Sequence, residues 1–180
     1  MSEQHPEAAI VAPSLVLVGA PGSGKSTIGS ILARMLGLDF IDVDAHIERQ
    51  QGKPISDIFV DDGEPRFRQL EREATLELLG SPGVISLGGG AVTNPEIRAA
   101  LTSHQVVWLT VSAAQAARRV GMNKQRPLLL GNVRSRLEQM MAERNPLYAE
   151  VATITVDSDS GRPNAVARSV LEALGVDPDA

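Results

Sequence analysis

Short, nearly continuous apolar runs alternate along this chain with longer segments in which apolar residues recur every three to four positions. Five runs, at 14–19, 39–43, 83–87, 104–110 and 152–156, are five to seven residues long. Runs of that kind are expected of strands buried on both faces, as in a parallel sheet. Between them, residues 25–36 place Ile28, Ile31, Leu32, Met35 and Leu36 on a helical rhythm and stop at Gly37, a glycine where helices commonly end. Further helices are predicted at 45–51, 55–60, 64–79, 95–101, 113–120, 133–148 and 164–174. Strand–helix alternation predicts a three-layer α/β fold, a parallel sheet with helices on both sides. Residues 1–13 and 175–180 are expected to be loose ends. Residues 121–132, rich in Arg, Pro and Gly, resist a regular assignment and have the length of a lid.

The chain has 180 residues, which suits a single domain spanning 1–180. It has no cysteine, which removes disulfides and thiolate metal sites and suits a reducing, cytoplasmic location. Net charge is −5, whereas a protein that grips nucleic acid nonspecifically usually carries a basic balance. No apolar run reaches the roughly 20 residues of a membrane span. The apolar stretch 8–20 is interrupted by Pro13 and preceded by Glu3 and Glu7 rather than by basic residues, so no signal peptide is expected. Of the 17 basic residues, 14 are Arg. Arg grips carboxylates and phosphates with a rigid two-pronged fork, although codon bias explains such a balance equally well.

Gly19-Ala-Pro-Gly-Ser-Gly24-Lys25-Ser26 matches the pattern G-x-x-x-x-G-K-[ST], after a predicted strand and at the start of a predicted helix. The glycines allow successive N–H groups to turn inward around a phosphate, and the helix N-terminus adds favourable partial charge. In this reading Gly22, Ser23, Gly24, Lys25, Ser26 and Thr27 cradle the nucleotide. Lys25 reaches the β- and γ-phosphates and the Ser26 hydroxyl is a ligand for Mg²⁺. Asn123-Lys124-Gln125-Arg126 begins like a guanine reader but ends in Arg, and no strand precedes it, which argues against a GTPase.

The second run ends in Ile41-Asp42-Val43-Asp44. Ligands of open α/β sheets bind beyond the carboxyl ends of the strands, and residues two apart on a strand face the same way. Asp42 and Asp44 are therefore expected to share the site. One would hold Mg²⁺ through water, and the other would accept a hydrogen bond from a substrate hydroxyl. The plain alternative is that Asp44 caps the following helix.

From about Leu15 to Val170 the chain resembles the shikimate kinases. The likeness rests on an ordered set: the phosphate loop, Asp42-Val-Asp44, Ile47-Glu48, Gly52, Ile55, Ile58-Phe59, Gly63-Glu64, Phe67-Arg68, Glu71, Leu87-Gly88-Gly89-Gly90-Ala91, Arg126-Pro127-Leu128-Leu129, and Arg144 with Tyr148. The resemblance implies a fold like the nucleoside monophosphate kinases, with a five-stranded parallel sheet in the order 2-3-1-4-5. It implies transfer of the ATP γ-phosphoryl group to the shikimate 3-hydroxyl, a step of aromatic amino-acid biosynthesis, with Mg²⁺. By the same likeness, Arg68 and Arg144 grip the substrate carboxylate, Asp44 holds the ring hydroxyls and Gly89 gives a backbone contact. Arg126 reaches the phosphates from the lid and Arg119 packs on adenine. The catalytic set is then Lys25, Asp44 and Arg126, the substrate set Asp44, Arg68, Gly89 and Arg144, and the metal set Ser26 and Asp42. ATP and shikimate are the implied partners of a monomer, the usual state in the family, with neither nucleic acid nor membrane.

Each charge has a plainer reading. Arg68 has Glu64 and Glu71 four and three positions away on its own helix, and Arg144 has Glu143 and Glu150 nearby. The family's adenine-side arginine after the fifth strand aligns here with Gly161, next to Arg162. His5, His46 and His104 are scattered and receive no chemistry, and Trp108 is expected in the core. Two rivals stand beside a shikimate kinase: a gluconate kinase, whose substrate is also a carboxylate, and a nucleotide-binding regulator without turnover.

Overall fold

The computed structural model describes residues 14–122, 130–159 and 161–180. Five strands, β1 (Ser14–Val18), β2 (Phe40–Asp42), β3 (Gly83–Ser86), β4 (Gln105–Thr110) and β5 (Ile154–Asp157), form one sheet in the order β2-β3-β1-β4-β5. Every pairing is parallel, and β1 lies at the centre with Val16 opposite both Ile85 and Val106. The helices are α1 (Lys25–Leu36), α2 (Val43–Gln51), α3 (Ile55–Asp62), α4 (Glu64–Leu78), α5 (Pro95–Leu101), α6 (Ala113–Met122), α7 (Leu130–Val151) and α8 (Pro163–Ala173).

Alternation along β1 divides the core. Val16 and Val18 join Ile47, Phe67, Leu70, Ile85, Leu101 and Tyr148 on one face. Leu15 and Leu17 join Leu32, Val84, Leu109 and Val170 on the other. Because both faces are covered, β1 is buried at every position, which is why its sequence reads as an unbroken apolar run. Burial on that scale, at about 25 cal/mol per Å² of apolar surface, is the main source of stability.

Three differences from the sequence expectations have physical causes. β2 ends at Asp42, whose carboxylate accepts from the Ala45 N–H (3.1 Å) and caps α2. Asp44 therefore stands in the first turn of a helix and not on a strand. Both ends of the segment expected as a lid are helical: Gly121 and Met122 belong to α6, and 130–132 to α7. The rest of that segment, with Arg126, lies outside the described residues, as do residues 1–13. Residues 175–180 are tied back, with Val176 packed on the core, its N–H donating to Leu171 (2.9 Å), and Arg168 paired with Asp179 (2.7 Å).

Candidate active site

The carboxyl ends of β1, β2 and β3 open onto a cleft of about 460 Å³ whose walls include Gly24, Lys25, Ser26, Asp42, Asp44 and Gly89. Its floor is the loop between β1 and α1. Gly22 and Gly24 have φ of 80° and 90°, left-handed values that glycine takes without steric penalty. A side chain at Gly22 would also meet the Ala116 backbone oxygen at 2.7 Å. Lys25 stretches back over the loop and donates to the carbonyls of Gly19 (2.7 Å) and Ala20 (3.1 Å). Burial lowers its pKa to about 8, and Arg144 adds to the effect, while Asp44 and Asp42 oppose it. An ammonium so placed is easily drawn to an incoming anion.

Ser26 donates to the Asp42 carboxylate at 3.0 Å. A hydroxyl and a carboxylate side by side, both facing a phosphate loop, form a donor set of the hard oxygen type that suits Mg²⁺. No group of three or more His, Cys, Asp or Glu side chains is placed to hold a metal among the described residues.

Asp44 lies deeper. Its Oδ1 is buried and has no hydrogen-bond partner. Burial raises its pKa to about 6, helped by the neighbouring Asp42 and Glu71 charges and opposed by Lys25. A carboxylate held with an open lone pair next to a phosphate loop is equipped to accept a hydrogen from an incoming hydroxyl.

The second wall is built around Gly88, Gly89 and Gly90, which need space rather than an unusual φ. A Cβ on Gly88 would sit 2.9 Å from both Asp44 Oδ1 and Glu71 Oε2. A Cβ on Gly90 would collide with the Arg68 guanidinium, and the Gly89 carbonyl accepts from the Tyr148 hydroxyl at 2.5 Å. The three glycines thus let two carboxylates and a guanidinium close around one backbone turn.

Arg68 pairs with Glu71 at 2.8 Å and with Glu64 at 3.5 Å, as the plain reading of its spacing anticipated. It also lies over the Phe67 ring, 5.4 Å from the centroid, and Phe67 packs on Phe59 at 4.8 Å. The head group also borders the glycine turn at Gly90. Glu71 is 2% exposed; burial raises its pKa, against the pull of Arg68 and Arg144. Arg144 does not take Glu150, which pairs with Arg98 at 2.9 Å. Its charge instead bears on Tyr148 and Glu71. The buried Tyr148 hydroxyl is pushed up to about 12, chiefly by burial. Arg68 and Arg144, 76 positions apart in the chain, therefore act on the same Glu71 carboxylate.

Arg119 lines the same cleft from the α6 side, with Nη1 donating to the Gly22 carbonyl (3.0 Å) and Nη2 to the Ser158 carbonyl (2.7 Å). Arg162 is the residue before α8 and is exposed. Sequence reasoning left Glu71, Tyr148 and Ser158 off the site. The spacing of Glu71 from Arg68 was a usable signal, and Tyr148 stood in the ordered set of the resemblance without a role; for Ser158 a partner 135 positions away left none.

Residues 21–175 match the family model described as Shikimate kinase. A shikimate kinase from Thermobifida fusca is 52% identical over 163 residues, covering 90% of this chain and 95% of the relative. One from Mycobacterium tuberculosis is 51% identical over 168 residues, covering 92% and 96%. Among solved structures, a shikimate kinase from Acinetobacter baumannii in complex with shikimate superposes with a TM-score of 0.84 at 36% identity, covering 90% of this chain and 92% of that one.

Proposed function

The chain belongs to the shikimate kinase family, and from that premise we propose that it transfers the γ-phosphoryl group of ATP to the 3-hydroxyl of shikimate, with Asp44, Arg68 and Arg144 handling the acceptor. The observation that carries the assignment is the meeting of Asp44, Glu71 and Arg68 around Gly88–Gly90, a turn whose Gly88 and Gly89 line the same cleft as the phosphate loop. A carboxylate substrate placed there finds two guanidinium groups, and its hydroxyl finds an unpartnered carboxylate oxygen facing Lys25.

The loop Gly22–Thr27 binds the β- and γ-phosphates, and Lys25 exchanges the Gly19 and Ala20 carbonyls for phosphate oxygens. Ser26 and Asp42 would hold Mg²⁺, whose role is to neutralise charge on the phosphates. Arg68 and Arg144 grip the substrate carboxylate. Asp44 orients the hydroxyl in line with the γ-phosphorus and accepts its proton as the new O–P bond forms and the bond from the γ-phosphorus to the bridging oxygen breaks, releasing ADP. The Gly89 backbone contacts the substrate, Arg119 flanks the adenine, and Arg126, assigned on its motif alone, covers the transferring group from a lid. Positioning and charge neutralisation supply most of what phosphoryl transfer requires. The same reading makes the protein a cytoplasmic monomer acting on two small molecules, without nucleic acid or membrane. The net charge of −5 argues against nonspecific nucleic-acid binding, and no helix among the described residues is long and apolar enough to cross a membrane.

A coupled ADP-release assay with shikimate and gluconate as alternative acceptors tests the assignment. Turnover is expected with shikimate alone; turnover with gluconate, or none with either, overturns it. In the Arg144→Ala variant one cation is lost from a partly buried carboxylate site, a change that costs about 2–5 kcal/mol. Shikimate affinity measured by calorimetry should fall roughly 30-fold or more, with ADP affinity nearly unchanged.

A further inference from the structure

Ser158 stands at the end of β5, 1% exposed, and makes none of the contacts assigned above to substrate, metal or proton transfer. Its hydroxyl lies 2.8 Å from the carbonyl oxygen of Ser23 and 2.9 Å from that of Thr110. The Thr110 oxygen also receives the N–H of Ser158 itself at 2.9 Å, and the Ser23 oxygen is the nearer of the two to the hydroxyl. Arg119 Nη1 approaches the same hydroxyl oxygen at 3.5 Å, which aims the hydrogen away from the guanidinium.

The peptide unit so held is the one between Ser23 and Gly24. In a trans peptide the C=O and N–H point in opposite directions. Anchoring the Ser23 carbonyl on Ser158 therefore turns the Gly24 N–H the other way, toward the cleft that Gly24 lines. The preceding unit is fixed at both ends: Gly22 C=O accepts from Arg119 (3.0 Å) and Ser23 N–H donates to Ala20 (3.1 Å). The unit after it enters α1. The 23–24 unit is the flip-prone one, because Gly24 has no Cβ to hold its φ of 90° against the alternatives.

We infer that Ser158 is a positioning residue for the phosphate loop, holding the Ser23–Gly24 peptide so that the Gly24 N–H is already aimed at the anion before nucleotide arrives. The inference rests on the reading of the loop as a nucleotide site but not on which acceptor is phosphorylated. Ser158 also joins the phosphate loop to β4 and β5 and, through Arg119, to the adenine side, 135 positions away in the chain.

Calorimetry on the full-length protein decides it, with ADP, inorganic tripolyphosphate and shikimate as separate titrants. Ser158→Ala leaves the Ser23 carbonyl buried without its partner and should weaken ADP and tripolyphosphate alike by about 10-fold. Shikimate affinity should stay at the wild-type value. Ser158→Thr, which keeps the hydroxyl, should retain most of the affinity for both anions. Ser158→Cys keeps the volume with only a weak donor, so it should behave like Ser158→Ala and serves if the alanine variant does not fold. Unchanged anion affinity in the Ala or Cys variant overturns the inference. Loss of ADP affinity without loss of tripolyphosphate affinity also overturns it, since the residue would then act on the base. Shikimate phosphorylation by the unaltered protein tests the functional assignment separately, so either idea can fail alone.

Discussion

Asp44 and Lys25 face one another across the cleft with pKa values displaced in opposite directions, to about 6 and about 8. Asp44 accepts a proton only when ionised, so its contribution is present above about pH 6 and is lost as pH falls through that value. Lys25 attracts phosphate only when protonated, so its contribution is present below about pH 8 and is lost as pH rises. The profile of kcat/KM for ATP, which reports the free enzyme, should therefore be bell-shaped with limbs near those two values. Asp44→Asn should remove the acid limb and lower turnover by about 10²–10⁴. An acid limb that survives in the variant would assign the proton to another group. Both carboxylates of the pair were legible in the sequence, but the reason given for their sharing a site was not the right one. They converge because Asp42 ends a strand and caps a helix whose first turn carries Asp44.

Among the elements, the turn Gly88–Gly90 concentrates the most function in the fewest atoms. Gly90→Ala would force a methyl group into the Arg68 guanidinium, and Gly88→Ala would press one between Asp44 and Glu71. Both obstacles are side-chain ends that can move, so the fold should survive while the acceptor site is lost. Shikimate binding should weaken at least about 10-fold in Gly90→Ala, as for removal of one partner from a charged pair. ADP binding and melting temperature should stay close to wild type. Isothermal titration of both ligands reads this directly, and a parallel loss of ADP affinity would mean that the turn supports the whole cleft. The helices α1 and α5 agree with their sequence patterns end to end, because cap and stop signals (Gly37, Asn94, Pro95) coincide with the apolar rhythm. α7 extends beyond its pattern at both ends, back through Gly131 to Leu130 and on from Tyr148 to Val151. Gly131 is a local breaker that predicts a later start, and packing on neighbouring elements overrides it. The hydroxyl of Tyr148, delivered by the late turns of α7 to Gly89, was invisible for the same reason: nothing local encodes a contact across 59 positions.

At the scale of the molecule, the order of strands places Lys25 and Asp44 at one end of the sheet, and the cost of that concentration falls on stability. Asp42, Glu48 and Glu71 all bear on Asp44, which is left with a buried oxygen and no partner. Its pKa is raised from 3.8 to about 6 on folding, so the unfolded chain ionises first as pH rises. The resulting loss of stability is absent below about pH 4, grows between about 4 and 6, and is complete above 6. A displacement of that size corresponds to about 2–3 kcal/mol. Asp44→Asn removes the charge while keeping the shape. At pH 7 it should raise the melting temperature by about 5 °C or more for a chain of this length, even as it removes turnover. The gain should shrink toward zero as the buffer is taken down to about pH 4, where the wild-type carboxyl is protonated in both states. Differential scanning calorimetry of the two proteins across pH 4–8 gives the answer. A variant no more stable than wild type at pH 7 would mean that the attraction of Lys25 for the ionised carboxylate outweighs burial and like-charge repulsion, and that the site is not strained by its own acid.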